Sequence, residues 1–181
     1  SNSSAASDVY KRQLRRRGTL DRLLRCVSRT PLRKIQPRVL EILRVGAYQL
    51  VFCDKVPASA AVNEAVKIAK RVSSPGAAGF VNGCLRSLGR AIVGTGESPG
   101  DDPRRAVPIG DGAYRLFARH VLPDPARSLA EYLAAAYSLP TWLARRWLRR
   151  HGEATCRRLC ETANAPPGIV LRVNRLRTTQ Q

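Results

Sequence analysis

The sequence predicts an all-α bundle over residues 14–93, then a linker (94–112), and in 113–181 a short helical segment and the first strand of a truncated α/β domain. Three observations carry that prediction. Apolar residues recur at three- and four-residue spacing through residues 18–93, in segments longer than strands usually run. Proline, or a Ser-Ser-Pro-Gly cluster, punctuates those segments at short intervals. Alternation of period two shows only weakly at 114–121 and clearly at 169–174.

The elements follow in order. Asp21–Val27 is a short amphipathic helix with Thr19 as its N-cap candidate, ended by Thr30-Pro31. Pro37 suits a first helical turn, and Arg38–Cys53 is apolar almost all round, with only Arg38, Glu41, Arg44 and Gln49 strongly polar. Such a helix is buried on most sides, so it is expected at the centre, with Gly46 allowing a neighbour to approach closely. Ala60–Val72 sets Val62, Ala65, Val66, Ala69 and Val72 on one face and Asn63, Lys67, Lys70 and Arg71 on the other. After Ser73-Ser74-Pro75-Gly76, Phe80–Val93 repeats the pattern, with Asn82, Arg86 and Arg90 as its polar stripe. The stretch 94–112, rich in Gly and Pro and holding Glu97, Asp101 and Asp102, is expected to be the linker. Tyr114–Val121 is a strand or extended arm; helices resume at Pro125–Ala136, Pro140–His151 and Glu153–Ala163. Trp142 and Trp147, in an apolar ridge interleaved with Arg145, Arg146, Arg149 and Arg150, read as packing anchors in preference to base-stacking platforms. Ile169, Leu171 and Val173 alternate with Val170, Arg172 and Asn174 as in a half-buried strand.

Both ends are expected to be cut. The chain has no methionine, and Ser3–Gln13 reads as the translation of a sequencing-library adaptor, so residues 1–13 are set aside as non-native. The central helix, deprived of the helices that would precede it, is then expected to expose apolar surface and the isolated chain to be marginally stable. The net charge is +19, and discounting Lys11, Arg12 and Asp8 lowers it by one. A scarcity of Asp and Glu, not merely a preference for Arg over Lys, makes a polyanion the expected partner. No apolar run approaches membrane-spanning length and no signal peptide is visible, so the expectation is a cytoplasmic protein without a membrane partner. Five scattered cysteines imply reduced thiols. Cys156 and Cys160 with His151 nearby lack the ligand number of a structural zinc site, so no metal is expected and buried small side chains are the better reading. His120 has no carboxylate or Cys partner at useful spacing and receives no catalytic role.

Two motifs narrow the field. Val62-Asn63-Glu64-Ala65-Val66-Lys67-Ile68-Ala69-Lys70 is followed, after the Pro/Gly break, by Phe80-Val81-Asn82-Gly83-Cys84-Leu85-Arg86. With Pro57 upstream and the preceding L-R-V-G-A-Y-Q-L, they resemble the NusB fold over residues 18–93. Asn63 and Asn82 would bond helix ends and turns, and Gly83 would permit close packing or a tight helix entry. Gly18–Leu24, Ser138–Leu143, Ala163–Pro167 and Leu171–Asn174 further resemble the RsmB (Sun/Fmu) class of 16S rRNA cytosine-5 methyltransferases, in which that module is N-terminal.

The resemblance implies an RNA-docking portion of an S-adenosylmethionine-dependent enzyme whose partner is rRNA. The family's Gly-rich cofactor site and catalytic cysteines find no match here, so no catalytic residue and no cofactor are assigned to this chain. The residues expected to touch RNA are Lys67, Lys70, Arg71, Arg86, Arg90 and Arg172. The alternative is a free-standing NusB-type antitermination factor that binds RNA and a ribosomal-protein partner. A DNA-binding regulator is favoured by charge alone, since no helix-turn-helix is evident.

Overall fold

The computed structural model describes residues 13–165. Prolines set the helix starts: Pro37 and Pro75 occupy first turns, where a missing N–H costs nothing, and Pro57 immediately precedes a helix. The bundle consists of α1 (Arg17–Val27), α2 (Pro37–Phe52), α3 (Ala58–Val72) and α4 (Pro75–Ala91).

Helix α2 is central, as its nearly all-round apolar sequence requires, and α1, α3 and α4 all pack on it. Val39, Ile42, Leu43, Ala47, Tyr48, Leu50 and Val51 are all buried. The expected exposure of its apolar surface is not seen among the described residues, where Val45 is the one large hydrophobic of α2 left exposed. Arg44 is buried as well: its Nε and Nη2 hold the two oxygens of Asp21 on α1 at 2.7 and 2.8 Å, and its Nη1 reaches Glu41 at 2.5 Å.

Gly46 is where α4 comes closest. A Cβ there would lie 2.5 Å from Cδ1 of Leu85, which is fully buried and has little room to turn aside. We expect Gly46→Ala to lower stability by about 1–3 kcal/mol, the usual cost of overpacking, read as an earlier urea midpoint at unchanged slope.

The expected linker is structured apart from the loop 97–102 and the turn at 111–112. Ile92–Gly96 (β1), Ala106–Gly110 (β2) and Ala113–Phe117 (β3) form an antiparallel sheet in the order β1-β3-β2. Asp111 and Gly112 sit between the paired Gly110 and Ala113 with φ of 51° and 75°. Positive φ at both positions of a two-residue loop is what a twisted hairpin needs, and an Asp-Gly pair supplies it. The third strand ends at Phe117, short of the expected Val121, and the sheet buries Val107 and Phe117 in the common core. Arg115 is pinned beneath the sheet: its Nε donates to the Val51 carbonyl at 3.0 Å, its Nη1 to Thr95 Oγ1 at 2.6 Å, and its Nη2 to Asp54.

Two further helices complete the described chain, α5 (Leu129–Tyr137) and α6 (Thr141–Asn164). Ser128 caps α5 by accepting from the Glu131 N–H at 3.3 Å. Helix α6 merges the two expected segments across a kink at Gly152 (φ 71°). Thr19 is not a cap but an interior residue of α1, fully buried, whose hydroxyl donates to the Ala135 carbonyl of α5 at 2.7 Å. The expected strand Ile169–Asn174, with Arg172, lies outside the described residues. No helix among the described residues is long and apolar enough to cross a membrane.

Candidate nucleic-acid interface

Helices α3 and α4 pack against one another and bury Ala61, Val62, Ala65 and Ala69 from one, and Ala78, Val81, Cys84, Leu85 and Leu88 from the other. Helical periodicity then forces Lys67, Lys70, Arg71, Arg86 and Arg90 outward, and all five are exposed. Lys67 shares its charge with Glu64 at 2.6 Å. Lys70, Arg71, Arg86 and Arg90 have no ion-pair or hydrogen-bonding side-chain partner among the described residues. These are four uncompensated cations on two neighbouring helices, side chains of the kind that can neutralise phosphates. Exposed charges of this kind add almost nothing to folding stability, so they are free to serve a ligand.

The glycines of α4 behave differently from expectation. Nothing lies within 4 Å of where a Cβ would sit on Gly79 or Gly83, so Gly83 opens the surface between Arg86 and the start of α4 and does not serve close packing. Nor do Asn63 and Asn82 make side-chain hydrogen bonds to helix ends among the described residues.

For the tryptophans of α6 the sequence favours packing over base stacking, and the structure divides the pair. Trp147 is half-buried against the core, as expected of an anchor, but Trp142 is 64% exposed. Beside it on α6 lie Arg145, Arg146, Arg149 and Arg150; Arg145 makes a loose pair with Glu131 at 3.6 Å, and all four are exposed. An open indole fringed by guanidinium groups offers a π-face for stacking and charge for the backbone of a single strand. The sequence signal was present as the Trp-x-x-Arg-Arg-x-x-Arg-Arg spacing from 142 to 150, but the apolar ridge alone could not say which tryptophan faces inward.

The remaining candidates fall to structure. Cys156 and Cys160 are fully buried, and burial, then the neighbouring Cys156, pushes the Cys160 thiol up to about 12. Such a thiol is a small core hydrophobe, not a nucleophile. His120 does have a carboxylate partner: its Nε2 lies 2.7 Å from Asp102, which is distant in sequence but brought close where the sheet folds the chain back on itself. Asp102 also accepts from Arg104 at 2.8 Å, and that bond, more than any other, holds its carboxyl below the usual carboxylate range. The group braces the turn before β2, where the Arg104 carbonyl accepts from the Val121 and Leu122 N–H groups.

Comparison with known proteins fits this geometry. The NusB family model matches residues 1–90, and that of the "Methyltr_RsmF/B-like, ferredoxin-like domain" matches residues 139–181. The chain is 31% identical over 176 residues to the "Probable ribosomal RNA small subunit methyltransferase B" of Bacillus subtilis, covering 97% of this chain and 33% of that protein. The protein of the same name from Synechocystis is 34% identical over 167 residues, 92% of this chain and 31% of its own length. The transcription antitermination protein NusB of Frankia casuarinae is 34% identical over 101 residues, 54% of this chain and 75% of that protein. The chain thus spans about a third of the length of the two methyltransferases it matches. No solved structure matches.

Proposed function

The chain belongs to the NusB family, in the RsmB-type branch that sets an RsmF/B ferredoxin-like domain behind the NusB domain, and on that premise we propose that it is the rRNA-docking part of an S-adenosylmethionine-dependent 16S rRNA cytosine-5 methyltransferase acting in the cytoplasm. The observation that carries this reading is the likeness to rRNA small-subunit methyltransferases along 92–97% of the chain. The ferredoxin-like match at 139–181 favours it over a free-standing antitermination factor.

Docking here is electrostatic positioning. Lys67 and Arg71 stand one helical turn apart on α3, as do Arg86 and Arg90 on α4, a separation of about 6 Å along each axis. Rigid helices hold these charges in place, which suits RNA duplexes read by shape and phosphate position more than by base edges. Exposed Trp142 would add a stacking contact to an unpaired base, and Arg172, outside the described residues, would supply one more phosphate contact. The described residues would not hold S-adenosylmethionine: no glycine-rich loop among them joins a strand to a helix N-terminus, so the role they fit is binding alone.

The test is a salt titration. Lys70→Glu with Arg86→Glu should weaken binding of a small-subunit rRNA fragment by about tenfold or more and flatten log Kd against log salt by about two, one for each phosphate no longer neutralised. Trp142→Ala should weaken the same RNA without changing the slope. Unchanged affinity and slope in the double variant would remove the reading.

A further inference from the structure

The first half of α6 is one-sided in charge. From Thr141 to His151 it carries Arg145, Arg146, Arg149 and Arg150 and no acidic residue. Among the described residues, Arg146, Arg149 and Arg150 have no ion-pair or side-chain hydrogen-bonding partner, and Arg145 has only Glu131 of α5, at 3.6 Å. Trp142 opens the same stretch with 64% of its surface in solvent. It is the one exposed Phe, Tyr or Trp among the described residues.

These features meet at one place. Trp142, Arg145 and Arg149 stand at the i, i+3, i+7 spacing of one helical face. With Ala130 of α5 and Leu148 they line an open groove of about 470 Å³ between the two helices. Ala130 is buried and Leu148 half-buried, whereas Trp142, Arg145 and Arg149 are exposed, so the aliphatic lining is recessed and the cations are outermost. The open indole leaves apolar surface in water, and neighbouring guanidinium groups repel one another. A ligand with a flat apolar face and negative charge relieves both.

We propose that this groove is a binding site for an unpaired RNA strand, one base stacked on Trp142 and the phosphates that follow held by Arg145 and Arg149. The inference rests on the docking function proposed above and deepens it: the RNA gains a second contact, on different helices from α3 and α4, that distinguishes strand from duplex. Arg145 and Arg149 lie about 6 Å apart along the axis, so each can meet its own phosphate. A base within a duplex keeps its faces in the stack and cannot cover the indole, so a duplex meets only the cations. Stacking accepts any base, so the selection is for an unpaired strand and not for one sequence. An acidic peptide matches the charge but leaves the indole bare unless it also supplies an aromatic ring. Glu131 is the internal competitor, since a phosphate that reaches Arg145 has to displace its carboxylate.

The experiment uses the 181-residue chain and three probes: a single-stranded octaribonucleotide without self-complementarity, the same sequence as a blunt duplex, and a peptide alternating glutamate and phenylalanine. Trp142→Ala should weaken the octamer about tenfold at unchanged salt slope, the worth of one base–aromatic stack, and Trp142→Phe should restore most of that. Arg149→Ala should lower the octamer's slope by about 0.7, one single-strand phosphate. Glu131→Gln should tighten the octamer by about twofold, since an exposed pair that held Arg145 is gone. The duplex should be weakened by the Lys70→Glu/Arg86→Glu pair and be indifferent to Trp142→Ala. An octamer unmoved by Trp142→Ala, or octamer and duplex weakened alike, overturns the strand site; the docking reading stands if the Lys70/Arg86 pair still weakens the duplex. A duplex indifferent to that pair removes the docking surface, while an octamer that still needs Trp142 keeps the strand site. A parent chain that binds neither RNA removes both. A peptide that displaces the octamer at equal concentration assigns the groove to a protein and overturns the RNA assignment. Trp142 is exposed, so Trp142→Ala should melt as the parent does; if it melts earlier, Arg149→Ala and Glu131→Gln decide, and an octamer unmoved by both overturns the site.

Discussion

Arg44→Ala should lower stability by about 3–5 kcal/mol, the cost of stripping one partner from a buried ion pair. For a domain of this size that is a fall of roughly 10 °C or more in melting temperature. Arg44 keeps 6% of its side-chain surface and Asp21 18%, so the aspartate left behind would be charged and poorly hydrated between α1 and α2. The bond is bidentate, with both carboxylate oxygens engaged, which fixes the roll of α1 on the central helix as well as its distance. Replacing both partners, as Arg44→Met with Asp21→Leu, should recover most of the loss, because a well-packed apolar pair is close to neutral against a buried salt bridge. A double variant as unstable as the single one would show that the geometry of α1, and not the stranded charge, was at stake. Calorimetry on the three chains decides between them.

The second large effect is local. Arg115→Ala removes the donors to Val51, Thr95 and Asp54 together. The Val51 carbonyl, in the last turn of α2, would be left without its charged donor in a buried site, and about 2–3 kcal/mol should go with it. The Asp54 end contributes little, since that side chain is 65% exposed. The signature should be uneven: amide exchange in β1 and β3 rises steeply, while the slowest amides of α2 and α4 follow only the global loss. Uniform acceleration across the chain would mean that the sheet and bundle unfold as one unit even without this residue.

These two arginines mark the limit of what the sequence discloses. Helices α2, α3 and α4 are legible because their apolar residues repeat at helical spacing and prolines mark their starts. The outward placement of Lys67, Lys70, Arg71, Arg86 and Arg90 follows from the same spacing. An arginine bound for the interior looks no different in the sequence from one bound for solvent, and in a chain of net charge +19 Arg16, Arg44 and Arg115 are lost in the crowd. Of the sheet, β3 showed in part as the strand or arm read at Tyr114–Val121, while β1 and β2 were hidden for another reason. They are five residues each and carry Gly94, Gly96, Pro108 and Gly110, the residues that otherwise mark loops. Asp111-Gly112, set between Ala106-Val107-Pro108-Ile109 and Ala113-Tyr114-Arg115-Leu116-Phe117, was the signal that could have paired β2 with the strand read at 114–121. Trp142 escaped because a ridge of four large side chains on one helix does not tell which of them stays outside.

The docked sheet also changes where this molecule can be divided. A chain severed after Val93 would lose the arginine that grips the end of α2 and the Val107 and Phe117 side chains that line the common interior. Its remaining bundle would have a raw apolar flank, so a cut in the exposed loop 97–102 should leave the two pieces held together. The sheet is therefore part of the bundle's own core, and a division of the molecule that keeps the core whole has to keep residues 92–117 with it.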